Sequence, residues 1–155
     1  MSTNFRVGLQ KVVDHSYDIE IGEGLFGALI EDLKRGIVEN VSKFAIITDS
    51  KVEVLYGQAL LELLLQNDFQ AELFSFPAGE KSKTRETKAE LEDRLLSRSY
   101  GRDCCILAIG GGAVTDLAGF LAGTFGRGVP SLNYATTLLA AADASIGGKT
   151  GVNTP

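Results

Sequence analysis

"CCILAIGGGAVTD", residues 104–116, sets an uncharged apolar run against three consecutive glycines and then against residues that can start a helix. An apolar run of this length, closed by glycine, suits a strand buried on both faces, as at the centre of a parallel sheet. The side-chain-free backbone that follows lets a phosphate approach exposed N–H groups at a helix N-terminus, where the dipole adds partial positive charge. As a dinucleotide fingerprint the stretch is incomplete. Gly110 and Gly112 fit G-x-G-x-x-G, but Thr115 stands at the third glycine and no acidic residue lies near position 130. A purely structural glycine turn therefore stays open beside an anion cradle. Asp116 falls in the expected first turn of the following helix, where the dipole alone accounts for a carboxylate.

Upstream, the same grammar repeats. "KFAIITD" reads as a short buried strand ending at Asp49, followed by a helix over about 52–66 with Val52, Tyr56, Ala59, Leu60 and Leu63 on its apolar face. "AELFSF" is the next strand, broken by Pro77 and Gly79, and a charged helix over about 84–99 buries Leu91 and Leu95. Before these, residues 5–9 and 17–21 alternate apolar and polar positions and read as a β-hairpin. A helix over 25–35 with Leu25, Leu29 and Leu33 at helical spacing ends at Gly36. Downstream of Asp116 come a helix through Leu117, Leu121 and Phe125 and a strand near 132–135. Gly119 and Gly123, four apart, give that helix a smooth face for close packing. Strands alternating with helices predict an α/β fold, a Rossmann-like, mostly parallel sheet with flanking helices and an N-terminal β-hairpin. Ligands of such sheets sit beyond the carboxyl ends of the strands, where Asp49, Gly79 and the three glycines fall.

Two further segments carry polar groups to that edge. "PAGEKSK" places Ala78, Gly79, Glu80, Lys81, Ser82 and Lys83 in a turn after a strand, suited to a ribose or adenine contact, or simply to a solvated loop. "TTLLAAADASIGGKTGVN" offers Thr136 and Thr137 as helix caps, then Asp143 before Gly147, Gly148 and Lys149. A P-loop is excluded, because the leading glycine of G-x-x-x-x-G-K-[ST] would occupy the position of Asp143. A glycine turn carrying a lysine opposite an aspartate is suited to a polar, hydroxylated or anionic small molecule.

Composition narrows the function classes. The 155 residues suffice for one core that buries roughly 70% of the unfolded surface. Ten of the eighteen glycines lie between Gly110 and Gly151, so the second half concentrates the sites of special backbone geometry. A net charge of −5 with scattered basic residues gives no footprint for nucleic acid. Residues 1–25 offer no continuous apolar stretch, so neither a signal peptide nor a membrane span is expected, and the cytoplasm is the default location. Cys104 and Cys105 are adjacent on a strand and point to opposite faces, which argues for two small buried hydrophobes rather than a disulfide. His15, the single histidine, cannot build a zinc site with the residues around it.

Taken together and in order, "GGGAVTDLAGF", "FGRGVP", "TTLLA" and "DASIGGKTGVN", with "ITDS" at 47–50 and "GEKSK" at 79–83, resemble the 3-dehydroquinate synthase family of sugar-phosphate cyclases. The resemblance implies an NAD-binding α/β domain over residues 1–155, a C-terminal helical domain absent from this chain, and hence a truncated two-domain enzyme. It implies conversion of 3-deoxy-arabino-heptulosonate 7-phosphate to 3-dehydroquinate and phosphate in the shikimate pathway of aromatic amino acid biosynthesis. NAD and a divalent metal, zinc or cobalt, serve that chemistry, the metal ligands lying outside this chain. By the same resemblance, Asp49 and the 78–83 loop with Glu80 and Lys83 contact the adenosine end of NAD. Gly111, Gly112, Ala113 and Val114 hold the pyrophosphate, with Thr115 beside them and Asp116, Thr136 and Thr137 near the riboses or nicotinamide. Asp143 and Lys149 face the reacting sugar ring, and Lys149 also contacts NAD. Arg127 reaches the phosphate pocket of a neighbouring subunit, and a homodimer is compatible with this.

Several positions depart from the family pattern: Thr115 for a glycine, Ala135 for a proline, Ala141 for a glutamine, Ala144 for a serine, Lys51 for an asparagine and Ser82 for a tyrosine. Thr115 is expected to add bulk beside the pyrophosphate. Two other functions stay open: a sister cyclase of the 2-deoxy-scyllo-inosose synthase kind acting on another sugar phosphate, and a non-catalytic nucleotide-binding module. A reading frame that continues past Pro155 with one glutamate and two spaced histidines separates the enzyme from the module.

Overall fold

The computed structural model describes residues 16–154. The apolar runs become the strands β1 (Lys43–Asp49), β2 (Ala71–Phe76), β3 (Cys104–Gly110) and β4 (Ser131–Ala135). Between and before them lie α1 (Phe26–Arg35), α2 (Ser50–Val52), α3 (Gln58–Gln66), α4 (Arg85–Ser97) and α5 (Gly112–Thr124). The strands form one sheet in the order β2-β1-β3-β4, every neighbouring pair parallel. This is the expected Rossmann-like α/β architecture.

The order sends the chain one way from β1 to β2 and the other way from β3 to β4. Right-handed crossovers then place the connecting helices on opposite faces. One core layer joins Ile30 and Leu33 of α1 and Leu60 and Leu64 of α3 to Phe44, Ile46, Cys105, Leu107 and Ile109. The other joins Leu91 and Leu95 of α4 and Leu117 and Leu121 of α5 to Ala45, Ile47, Cys104, Ile106 and Ala108. Every residue of β3 is buried, which explains why its sequence shows no alternation. Cys104 and Cys105 are free thiols in opposite layers, and burial pushes them up to about 11 and about 12.

Local signals account for the helix ends. Gly36 closes α1 at a φ of 79°, its N–H reaching the carbonyls of Asp32 and Leu33. Thr84 caps α4 by accepting from the N–H of Thr87. The helix expected over 52–66 forms, but with a π-helical turn at Glu53–Gly57 between α2 and α3. The inserted residue rotates its inner face, so Gly57, Leu60 and Leu64 are buried while Tyr56 and Ala59 are exposed. Gly57 makes the close approach to the sheet: a Cβ there would lie 2.9 Å from Leu73 Cδ1.

The N-terminal β-hairpin is a correction. Its first arm, residues 5–9, and His15 lie outside the described residues, and residues 17–21 form no strand. Ile19 and Ile21 are exposed, so their alternation has no sheet face to bury against. Gly123 is a second correction, since a Cβ there would meet nothing within 4 Å, whereas one at Gly119 would strike Thr150 Cγ2. No helix among the described residues is long and apolar enough to cross a membrane.

A Cβ at Gly110 would fall 2.5 Å from Val114 Cγ2, while one at Gly27, inside α1, meets open space. Gly110→Ala is therefore expected to cost about 1–3 kcal/mol by overpacking. Gly27→Ala should gain about 0.5–1 kcal/mol by restricting the unfolded chain. Urea unfolding midpoints check both, and equal midpoints for the two variants contradict the packing at Gly110.

Candidate functional site

All four strands end on one edge. Asp49 pairs with Phe76 across β1 and β2, and Gly110 pairs with Ala135 across β3 and β4. The β1–β3 pairing stops at Ile47 and Ala108, so Asp49 and Gly110 stand level where the two central strands part. That parting marks the reversal of winding, the place where open α/β sheets form their crevice. Thr48, fully buried at its floor, donates its hydroxyl hydrogen to the Ile109 carbonyl at 2.8 Å beyond the end of the ladder.

Gly110 leads through Gly111 into α5. No side chain caps this helix, and the N–H groups of Val114 and Thr115 bond back to the Gly111 carbonyl. The N–H groups of Gly112 and Ala113 have no partner within the helix and point out of its first turn. Thr137 packs over Gly111, where a Cβ would approach its Cγ2 to 3.2 Å, and Ala144 packs over Gly112. Thr137 Oγ1 accepts from the N–H of Ala140, so the capping role expected of the threonine pair falls to Thr137. A π-helical turn, Ala140–Ala144, then presents Asp143, whose Oδ1 lies 3.5 Å from Lys149 Nζ. Asp116, Asp143, Ala144 and Lys149 line a recess of about 190 Å³. A drug-sized ligand needs roughly 300–1,000 Å³, so these residues form one wall of a site rather than a whole pocket.

On the other flank, Asp49 caps α2 by accepting from the N–H groups of Lys51 and Val52. Ser50 Oγ accepts from the N–H of Ala78, tying the ends of β1 and β2 together. The chain turns at Gly79, with a φ of 114°, into the 3₁₀ turn Glu80–Ser82. From here Lys83 reaches back to Asp116, Nζ to Oδ2 2.5 Å, with Glu80 Oε1 at 3.7 Å. Both side chains of the Lys83–Asp116 pair are about four-fifths covered. The hydrogen bond to Asp116 raises the Lys83 ammonium above its ordinary value, and partial burial opposes this.

Two sequence expectations change in this light, at Asp116 and Thr115. Asp116 sits in the second turn of α5, past the strongest reach of the dipole, and is held by Lys83 instead. The side chain of Thr115 does not overhang the glycines; it is fully buried, and its hydroxyl donates to the Gly112 carbonyl at 3.2 Å. Arg127 lies past the far end of α5, separated from the rim by thirteen helical residues, about 20 Å. Lys81 is exposed and Ser82 half-buried in the same turn as Glu80.

The structure also adds two residues to which the sequence reading gave no role, Asn153 lying at the end of the quoted "DASIGGKTGVN". Tyr17 accepts at its hydroxyl from the N–H of Gly147, 2.8 Å away. Asn153 donates its backbone N–H to the Lys83 carbonyl at 2.8 Å and its side-chain amide to Glu80 Oε1 at 2.9 Å. Contacts between residues 70 or more apart have no periodicity to reveal them.

A family model described as 3-dehydroquinate synthase N-terminal matches residues 73–155. The 3-dehydroquinate synthase of Syntrophotalea carbinolica is 40% identical over 142 residues, 92% of this chain and 39% of that protein. The chain thus spans about two fifths of the length of the curated relatives it matches. Among solved structures, 2-epi-5-epi-valiolone synthase from Streptomyces hygroscopicus, with NAD+ and Zn2+ bound, superposes with a TM-score of 0.76 at 33% identity, covering 97% of this chain and 40% of that one. A 2-deoxy-scyllo-inosose synthase complexed with carbaglucose-6-phosphate, NAD+ and Co2+ gives a TM-score of 0.75 at 27% identity, covering 86% and 36%.

The Lys83–Asp116 pair generates a pH prediction. Because the folded state raises Lys83, its contribution is complete below the unfolded lysine value and is lost as pH rises through the higher folded value. A double-mutant cycle with Lys83→Met and Asp116→Asn is expected to show about 1 kcal/mol of coupling at pH 8. That coupling should persist to pH 10 and fade above 10.5. Zero coupling at pH 8 would show the pair to be energetically idle.

Proposed function

We propose that this chain, which belongs to the 3-dehydroquinate synthase family, supplies the NAD-binding half of an enzyme that converts 3-deoxy-arabino-heptulosonate 7-phosphate to 3-dehydroquinate and phosphate. The observation that carries this reading is the uncapped N-terminus of α5, set behind Gly110–Gly111 at the crevice between β1 and β3. The fit to a dinucleotide rests on that geometry. A Cβ at Gly111 would crowd Thr137 and one at Gly112 would just touch Ala144, and two backbone N–H groups face outward at the positive end of a helix.

In this reading Gly111, Gly112, Ala113 and Val114 receive the pyrophosphate, the side chain of Thr115 staying out of its way. Asp49, Ala78, Gly79, Glu80, Lys81, Ser82 and Lys83 take the adenosine end, where carboxylates accept from ribose hydroxyls. Asp116, Thr136 and Thr137 border the nicotinamide riboside. Bound NAD supplies transient oxidation of a ring hydroxyl, which acidifies the neighbouring C–H so that phosphate can leave. Asp143 and Lys149 orient the sugar ring and stabilise developing negative charge, acting as fixed groups on the wall of the cleft. Arg127, remote from this wall, serves the phosphate pocket of a second subunit in a homodimer. Among the described residues no three His, Cys, Asp or Glu side chains group as metal ligands. A cytoplasmic location fits a reaction on a sugar phosphate.

The likeness to valiolone and inosose synthases supports a second reading, a sister cyclase acting on a different sugar phosphate. The two separate on substrate: the full-length protein should release phosphate from the heptulosonate 7-phosphate and leave glucose 6-phosphate untouched, and the reverse result selects the sister reading. The isolated 155-residue chain is expected to bind NAD weakly and to form no dehydroquinate. In the full-length enzyme Lys149→Ala should lower kcat by about a hundredfold. Unchanged kcat and KM in that variant remove Lys149 from the site.

A further inference from the structure

Lys149 is carried on a segment anchored at both ends, with Thr150 packed on Gly119 and Val152 against a core layer, while the Lys149 side chain pairs with Asp143. Upstream, Ser145 Oγ donates to the Ala140 carbonyl at 2.8 Å, and Asn133 Nδ2 donates to the Ser145 carbonyl at 3.1 Å. The Lys149 side chain itself is 85% exposed. Downstream, the Gly151 N–H donates to the Asp116 carbonyl at 3.3 Å, and Asn153 clasps the 80–84 turn through two hydrogen bonds and a bridge to Thr84. The downstream ties therefore end on Glu80, Lys83 and Asp116, the residues proposed to hold the nucleotide.

We infer that Asn153 is a positioning residue, a clasp that couples occupancy of the Glu80–Lys83 turn to the placement of Lys149. This rests on the NAD reading above. A carboxylate offers about four acceptor positions, so Glu80 can hold the Asn153 amide and a ligand hydroxyl together. A ligand that fixes the Glu80 rotamer fixes the partner of Asn153, and the segment between Gly147 and Asn153 then loses less entropy on ordering. Coupling of this kind is reciprocal, so an ordered Lys149 segment also favours the nucleotide. Asn153→Ala breaks one side-chain contact on an exposed residue and leaves both core layers intact.

The test is amide hydrogen exchange over 147–153 in the full-length protein, with and without NAD. In the absence of NAD, Asn153→Ala is expected to speed exchange there about tenfold, the size expected for losing a hydrogen bond to a charged group. NAD should slow exchange of this segment in the parent protein and not in the variant. The pair Glu80→Gln with Asn153→Asp reverses donor and acceptor, and it should restore protection without NAD, which a merely structural loss would not. In turnover, Asn153→Ala should lower kcat about tenfold and leave the KM for the sugar phosphate within twofold. Equal exchange in parent and variant, or an NAD response that survives in the variant, overturns the clasp. Failure of the parent protein to bind NAD overturns the functional reading instead, while the exchange comparison without NAD still decides whether Asn153 holds the segment.

Discussion

The contact between Gly110 and Val114 sets the rest. With a Cβ at Gly110 only 2.5 Å from Val114 Cγ2, the end of the central strand and the first turn of α5 are pressed together as closely as backbone allows. A helix so placed cannot move off the sheet edge without opening the layer formed by Leu117 and Leu121 against Ile106 and Ala108. Its N-terminus is therefore fixed at the crevice, with N–H groups aimed outward and no local side chain to quench them. The segments that line the site are packed against this helix. Thr137 rests on Gly111, Ala144 on Gly112 and Thr150 on Gly119, so the polypeptide from 136 to 150 follows the helix down one side.

Electrostatics complete what packing begins. Lys83, from the loop after β2, crosses to Asp116 on α5 and so joins the two flanks of the crevice, which the parallel sheet alone holds apart by the full width of β1. A partly covered pair of this kind contributes modestly to stability, and its greater effect is to fix geometry. It keeps the 78–83 turn beside α5, and Asn153 extends the same network to the segment that bears Lys149. The 78–83 turn and the segment that bears Lys149 thus share one set of anchors, which the sheet topology does not by itself require.

Much of the fold was legible because it rests on short-range chemistry. β1 and β2 follow the apolar runs "KFAIITD" and "AELFSF" to the residue, α1 stops at Gly36, and α4 begins at the threonine that caps it. Where the sequence misled, a local rule had been broken. Tyr56 and Ala59 belong to an inward face only if 3.6-residue spacing runs through the helix, and the π-helical turn at Glu53–Gly57 shifts it. Residues 17–21 alternate like a strand yet have no surface to cover. At the candidate site, the motifs located the glycine turn and the Asp143–Lys149 pair, while the Lys83–Asp116 bridge and the Asn153–Glu80 hydrogen bond arise from parts of the chain that meet only once it is folded.

We propose that backbone N–H groups at the start of α5, together with the 79–83 turn, receive NAD. This is tested most directly by titrating NAD into isotope-labelled full-length protein and mapping the backbone amide resonances that move. The largest shifts are expected at Gly111, Gly112 and Ala113, with a second group at residues 79–83. Saturable binding of NAD that leaves those amides unmoved would contradict it.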